Sequence, residues 1–212
     1  WEASAKRFYA MKILAVGMNY ASHREEMGHA REGDPVIFTK CDSALLKDGK
    51  PFFIPDFTQQ CEYETELVVR ICRMGKEIAP RFAHRYYDAM TVGIDFTARD
   101  LQRAAREKGM PWDLSKGFDN SAVIGDWMPT EGRNMRNLDF HLDIDGRTVQ
   151  KGWTGNMIWS VDEIIAYVSR FCMLRQGDLI YTGTPAGVGP VFIDQHLEGF
   201  LEGNKLLEFN VK

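Results

Sequence analysis

Three acidic residues stand where a chain has reason to hold a metal. Glu64 and Glu66 are two apart within residues 61–72, with Glu62 beside them. Side chains two apart on a strand project to one face, within about 7 Å of each other. Like charges held that close repel, and a hard dication between them makes the pairing favourable. The other reading is a solvated acidic face on an edge strand, which discourages aggregation. Asp95 lies between Ile94 and Phe96, where an unpaired carboxylate is costly. It suits a third metal oxygen or a salt bridge to a cation such as Arg99.

Other residues suit proton and charge handling. His23-x-x-Glu26 places two side chains on one face of a helix. A Glu beside a His orients the ring and stabilises its protonated form, as a general base requires. The plainer reading is a surface pair beside Arg24 and Glu25. Lys116, in a polar stretch after Trp112, suits a substrate carboxylate or an enolate oxygen. It is otherwise an exposed loop lysine. The run Thr182-Gly183-Thr184-Pro185-Ala186-Gly187-Val188-Gly189 offers backbone N–H groups and hydroxyls to an anion, or is a tight structural turn. It lacks the Lys-Ser/Thr ending of a phosphate loop and is not G-x-G-x-x-G.

The positioning elements follow from periodicity. Residues 61–72 alternate as a strand, with Tyr63, Thr65, Leu67, Val69 and Ile71 on one side and Glu62, Glu64, Glu66, Val68 and Arg70 on the other. Residues 91–97 read as a second strand, with Asp95 opposite Val92, Ile94 and Phe96. Short strands are expected at 11–20 and 35–39, with a short helix at 20–27. Residues 80–90 predict a helix with Phe82, Ala83, Tyr86, Tyr87 and Met90 as its apolar side. A helix over 99–108 ends at Gly109, and residues 109–130 read as a long loop. Residues 138–144 alternate into Asp145-Gly146, a type I′ hairpin signal, and return over 147–150. Ser160 and Glu163 form a capping box. Strands at 179–182, 197–201 and 205–212 complete the pattern, the last two split by Gly203-Asn204. Strands outnumber helices and do not alternate with them one-to-one, so the fold class is a β-rich α+β domain.

Composition narrows the partners. The 212 residues are 44% hydrophobic and 26% charged, and 30 acids exceed 26 bases by four. That balance does not fit a general nucleic-acid binder. No 18-residue apolar run exists, so no membrane helix is expected. Cys41, Cys61, Cys72 and Cys172 form no C-x-x-C motif and predict reduced, mostly buried thiols in a reducing, cytoplasmic setting. Residues 1–10 precede Met11 and read as a leader or expression remnant, leaving 11–212 as one domain.

In order along the chain, the motifs resemble one family. Gly17-x-Asn19-Tyr20-x-x-His23-x-x-Glu26, Pro35-x-x-Phe38-x-Lys40 and Tyr63-Glu64-x-Glu66-Leu67 are similar to signatures of the fumarylacetoacetate hydrolase family. So are Gly93-x-Asp95-x-Thr97-x-Arg99-Asp100-x-Gln102 and Trp112-x-x-x-Lys116-x-Phe118-Asp119. Asp145-Gly146 through Gln150, Gly177-Asp178-Leu179-Ile180 and Thr182-Gly183-Thr184-Pro185-x-Gly187-Val188-Gly189-Pro190 complete the set. The match is with the short branch of acylpyruvate and fumarylpyruvate hydrolases and their oxaloacetate decarboxylase, tautomerase and hydroxymuconate isomerase relatives.

The resemblance implies a mixed β-roll core and a homodimer. It makes Glu64, Glu66 and Asp95 ligands of Mg²⁺ or Mn²⁺, His23 and Glu26 a base dyad, and Lys116 the enolate-stabilising lysine. Arg99, Gln102 and Thr184 fall where the family contacts substrate or supports the site. The expected reaction is metal-dependent C–C hydrolysis of a 3-acylpyruvate. Isomerisation, tautomerisation or decarboxylation of a small 2-oxo acid is the alternative, and a non-catalytic protein on the same scaffold is a third. Residues 23–34 are the expected lid.

Overall fold

A computed structural model describes residues 12–20 and 33–212. His23, Glu26, the expected helix at 20–27 beyond Tyr20 and nearly all of the expected lid lie outside the described residues; Tyr20 itself forms an antiparallel bridge with Met157.

The largest sheet orders its strands β2-β1-β12-β5-β6-β8-β3, with β9 also paired to β6. These are β1 (Ile13–Gly17), β2 (Val36–Lys40), β3 (Leu45–Leu46), β5 (Thr65–Ile71), β6 (Tyr87–Asp95), β8 (Ala122–Ile124), β9 (Met128–Pro129) and β12 (Leu179–Tyr181). The pairs β1–β12 and β3–β8 are parallel and the others antiparallel, so the sheet is mixed. A four-stranded sheet runs β11-β10-β14-β15, from β10 (Asp139–Ile144), β11 (Arg147–Trp153), β14 (His196–Leu201) and β15 (Asn204–Asn210). A small third sheet joins β13 (Gly189–Pro190), β4 (Cys61–Tyr63) and β7 (Thr97–Ala98). Among the described residues the α-helices are α1 (Pro80–Ala83), α2 (Arg99–Glu107), α3 (Asp113–Lys116) and α4 (Val161–Val168). The β-rich α+β class is therefore observed.

Two cores grip the central strands. Helix α4 packs Val161, Ile164, Ile165 and Val168 against Leu67, Val69 and Ile71 of β5 and Met90 of β6. Its start is the expected capping box: Ser160 Oγ accepts from the Glu163 N–H at 3.3 Å, and Glu163 Oε2 accepts from the Ser160 N–H at 2.7 Å. A second core sets Val92 and Ile94 against Leu142, Ile144, Leu197, Leu207 and Phe209 of the four-stranded sheet. Both cores lie on the same face of β5 and β6, since Leu67 pairs with Val92 and Val69 with Met90, while Val68 packs on the opposite face with Ala15, Ala122 and Tyr181. A one-residue slip would carry Leu67, Val69, Val92 and Ile94 out of both cores, which fixes the register.

Several expectations need correction. Helix α1 ends at Ala83, and residues from Tyr87 onward are strand. Strand β6 is buried along nearly its whole length, so it lacks a two-residue alternation and its apolar residues fit a helical period equally well. The expected loop at 109–130 contains α3, β8 and β9, elements of two to four residues that tertiary pairing creates. The final turn is Glu202-Gly203, one residue early, with φ of 52° and 75°. The Asp145-Gly146 turn is as expected, with φ of 51° and 74°. All four cysteines are free, but only Cys61 is buried. Among the described residues no helix is long and apolar enough to cross a membrane.

Candidate active site

Glu64 occupies the single position between β4 and β5, Glu66 lies in β5, and Asp95 closes β6. The β5–β6 register pairs Thr65 with Ile94 and Glu66 with Gly93, and the Asp95 N–H donates to the Glu64 carbonyl at 2.8 Å. Glycine is required at 93, because a Cβ there would come within 2.7 Å of Val123 O and of Val68 Cγ2. This antiparallel crossing brings one oxygen from each of Glu64, Glu66 and Asp95 within 4.8 Å of one another. All three residues are buried, with Asp95 wholly inaccessible. The solvated acidic face is thereby excluded.

Cations surround the carboxylates unevenly. Lys116 Nζ lies 2.8 Å from Glu64 Oε2 and 2.7 Å from Asp95 Oδ2, and donates to Thr97 Oγ1 at 2.7 Å. Lys40 Nζ lies 2.6 Å from Asp95 Oδ1 and donates to the Lys116 carbonyl, the Ser121 carbonyl and Ser121 Oγ. Arg99 reaches Glu62 Oε2 at 2.7 Å, Glu64 Oε1 at 2.6 Å and Gln102 Oε1 at 2.6 Å. Asp95 thus pairs with the two lysines, and Arg99 pairs with Glu62 and Glu64 instead.

These contacts divide the acids. Burial pushes the Glu64 carboxyl up, but Lys116 and Arg99 outweigh it and hold the group well below the usual carboxylate range. Burial, then the charges of Asp95 and Glu64, push Glu66 well above that range. Glu66 has no ammonium or guanidinium within salt-bridge distance among the described residues; its Oε2 accepts from the Gly183 N–H at 2.7 Å. Among the described residues, four carboxylates (Glu62, Glu64, Glu66, Asp95) face three cations (Lys40, Lys116, Arg99). An all-oxygen donor set one positive charge short fits a hard dication such as Mg²⁺ or Mn²⁺.

Lys116 is buried at the end of α3, not on an exposed loop. Its carbonyl accepts from Ser121 Oγ at 2.7 Å, which fixes the end of the helix. Gln102 is buried and holds Arg99. The glycine run follows β12. Gly183 has φ of +97°, and its N–H serves Glu66. Thr184 Oγ1 donates to the Thr65 carbonyl at 2.9 Å and accepts from Gln150 Nε2 at 2.8 Å, which places it as a support for β5. Arg99 and Gln102 also line a cavity of about 480 Å³ with Gln60, Glu62 and Arg103. A cavity of about 570 Å³ near Leu45, Trp127 and Leu206 holds none of the predicted site residues.

Residue-type reasoning assigned no role to Lys40, Thr97 or Gln150. Lys40 ends a short strand between Thr39 and Cys41-Asp42-Ser43, a polar setting that suits an exposed lysine and does not mark a buried ammonium. Gln150 reaches the site from β11: its Oε1 accepts from the Thr65 N–H at 2.9 Å, and its Nε2 also donates to the Pro185 carbonyl at 2.9 Å.

Comparison with known proteins places the chain in a family. Residues 12–212 match the family model described as fumarylacetoacetate (FAA) hydrolase C-terminal. The mitochondrial oxaloacetate tautomerase FAHD1 of Arabidopsis thaliana is 39% identical over 202 residues, covering 95% of this chain and 91% of that protein. The mitochondrial oxaloacetate decarboxylase of Dictyostelium discoideum is 39% identical over 182 residues, covering 85% and 84%. The crystal structure of fumarylpyruvate hydrolase from Pseudomonas aeruginosa, in complex with Mn²⁺ and pyruvate, superposes with a TM-score of 0.91 at 36% identity, covering 99% of this chain and 93% of that one. The chain belongs to the fumarylacetoacetate hydrolase family.

Proposed function

We propose that this protein is a divalent-metal-dependent enzyme acting on small 2-oxo acids through an enolate, and that it hydrolyses a C–C bond in a 3-acylpyruvate. The observation that carries the proposal is the convergence of three buried carboxylates beside two lysines. The Pseudomonas relative supports it, being named a fumarylpyruvate hydrolase and solved with Mn²⁺ and pyruvate. Glu64, Glu66 and Asp95 would hold the metal, and a bound Mg²⁺ or Mn²⁺ supplies Lewis-acid stabilisation of negative charge on substrate oxygens. With a dication the seven charged side chains total one positive charge, which favours an anionic substrate.

His23, oriented by Glu26, takes a proton from water, whose oxygen adds to the acyl carbonyl. The C–C bond breaks, its electron pair stays with the pyruvate fragment as an enolate, and a proton is returned to carbon. The products are pyruvate and a carboxylic acid. The Lys116 ammonium steadies the developing negative oxygen. Arg99 and Gln102 orient the substrate, and Thr184 keeps β5 in place behind it. The reading includes a cytoplasmic homodimer, whose mass in solution light scattering checks.

Tautomerisation or decarboxylation of oxaloacetate is the second reading, favoured by the names of the Arabidopsis and Dictyostelium relatives. It needs the same enolate without the attacking water. Acetylpyruvate, fumarylpyruvate and oxaloacetate, each assayed with Mg²⁺, Mn²⁺ or chelator, separate the readings. Hydrolysis gives pyruvate plus a second acid, tautomerisation moves the enol band with no new acid, and decarboxylation gives pyruvate plus CO₂. Metal-independent turnover, or none on all three, overturns the proposal.

A further inference from the structure

Lys40 and Lys116 both touch Asp95, yet they are held in different ways. Lys40 is ion-paired to Asp95 and directs its hydrogen bonds to fixed protein groups: the Lys116 carbonyl, the Ser121 carbonyl and Ser121 Oγ. Its side chain is completely inaccessible. Lys116 has one such anchor, the Thr97 hydroxyl. Its other two bonds go to Glu64 Oε2 and Asp95 Oδ2, oxygens of two carboxylates that converge with Glu66. Lys40 is a permanent counter-ion, whereas Lys116 bridges the mouths of two metal-ligand carboxylates.

An ammonium and a dication compete at such a place. Each carboxylate oxygen has a limited number of lone pairs, and those aimed at Nζ are withdrawn from a metal. Two cations a few ångströms apart in a buried site also repel with little screening. We propose that Lys116 is a competing counter-cation that sets the dication affinity of this site. In the metal-free protein it neutralises Glu64 and Asp95. On metal loading it yields at least one of those oxygens, and its ammonium becomes available to a substrate oxygen. Metal loading and the positioning of Lys116 are then one event. This rests on the reading of Glu64, Glu66 and Asp95 as a metal site.

Mn²⁺ is titrated calorimetrically into chelator-treated full-length wild type, Lys116→Met and Lys116→Gln, without substrate, with circular dichroism as the check on folding. Both variants are expected to bind Mn²⁺ more tightly than wild type, by roughly tenfold or more. Equal or weaker binding by a folded variant overturns the inference alone, and no Mn²⁺ binding by wild type overturns the metal reading with it. Crystals of Mn²⁺-loaded wild type give a readout that needs no variant. Nζ beyond hydrogen-bond distance of Glu64 Oε2 or Asp95 Oδ2 supports the inference; retention of both contacts overturns it.

Discussion

Glu64 and Asp95 are joined twice, by the Asp95 N–H to the Glu64 carbonyl at 2.8 Å and by the Lys116 ammonium across their carboxylates. The backbone bond sets the spacing of the two acids and the ammonium offsets their repulsion. Replacing both Glu64 and Glu66 by Gln keeps the backbone bond and the side-chain volumes while removing two negative ligands. The double variant is expected to keep its far-ultraviolet circular dichroism and to lose Mn²⁺ binding and metal-dependent turnover. Wild-type turnover would disprove the assignment.

Glu66 predicts a pH effect. Burial and its acidic neighbours raise its folded-state pKa above the unfolded value. Below the unfolded value the carboxyl is protonated in both states and costs nothing. Between the unfolded and the folded values the unfolded state gives up the proton while the folded state keeps it, so stability falls as pH rises across that window. Glu66→Gln removes that penalty. In chelator-treated protein its gain in melting temperature over wild type is expected to be larger near pH 7 than near pH 5; a gain independent of pH would refute it.

Lys40→Met leaves Asp95 Oδ1 and two buried carbonyls without their ammonium. Breaking a buried ion pair from one side costs about 3–5 kcal/mol. Urea denaturation of the metal-free protein measures it, and a loss under about 1 kcal/mol would contradict the role of permanent counter-ion.

Gly183→Ala acts on the backbone. The residue has φ of +97°, and an added Cβ would lie 2.6 Å from Asn19 Cβ and 3.0 Å from the Val16 carbonyl. A loss of about 1–3 kcal/mol is expected. The Gly183 N–H would also move from Glu66, so Mn²⁺ affinity should change alongside the melting temperature. A neutral result in both would show that the loop tolerates the side chain.

The thiols differ in reactivity. Burial pushes Cys61 up to about 12, whereas Cys41 is exposed. An aromatic disulfide reagent near pH 8 is expected to label Cys41 rapidly and to reach Cys61 only on unfolding. Mass spectrometry of labelled peptides reports the order.

The acidic core of the site was legible because its carriers alternate on strands: Glu64 and Glu66 share a face, and Asp95 stands out in an apolar run. Their buried partners were harder to see. Lys40 and Gln150 approach from β2 and β11, elements distant in sequence, and nothing local in either marks a long-range polar contact. Strand β6 hid its start because burial on both faces erases alternation, and α3 and β8 are too short to have a period. Arg99 was visible as a cation near Asp95 but pairs with Glu62 and Glu64, a choice made by the β4–β7 pairing of Glu62 with Thr97.

Gln150 has one further consequence. Its amide spans from β5 to the glycine run, from an element of the four-stranded sheet. It works as a strut of fixed length and fixed polarity, with an acceptor at one end and donors at the other. A glutamate of the same length would set an acceptor against the Pro185 carbonyl and prop the two walls apart. The hairpin that carries the strut contributes no ligand, yet it sets how far apart the strand bearing Glu66 and the loop that caps Glu66 can stand.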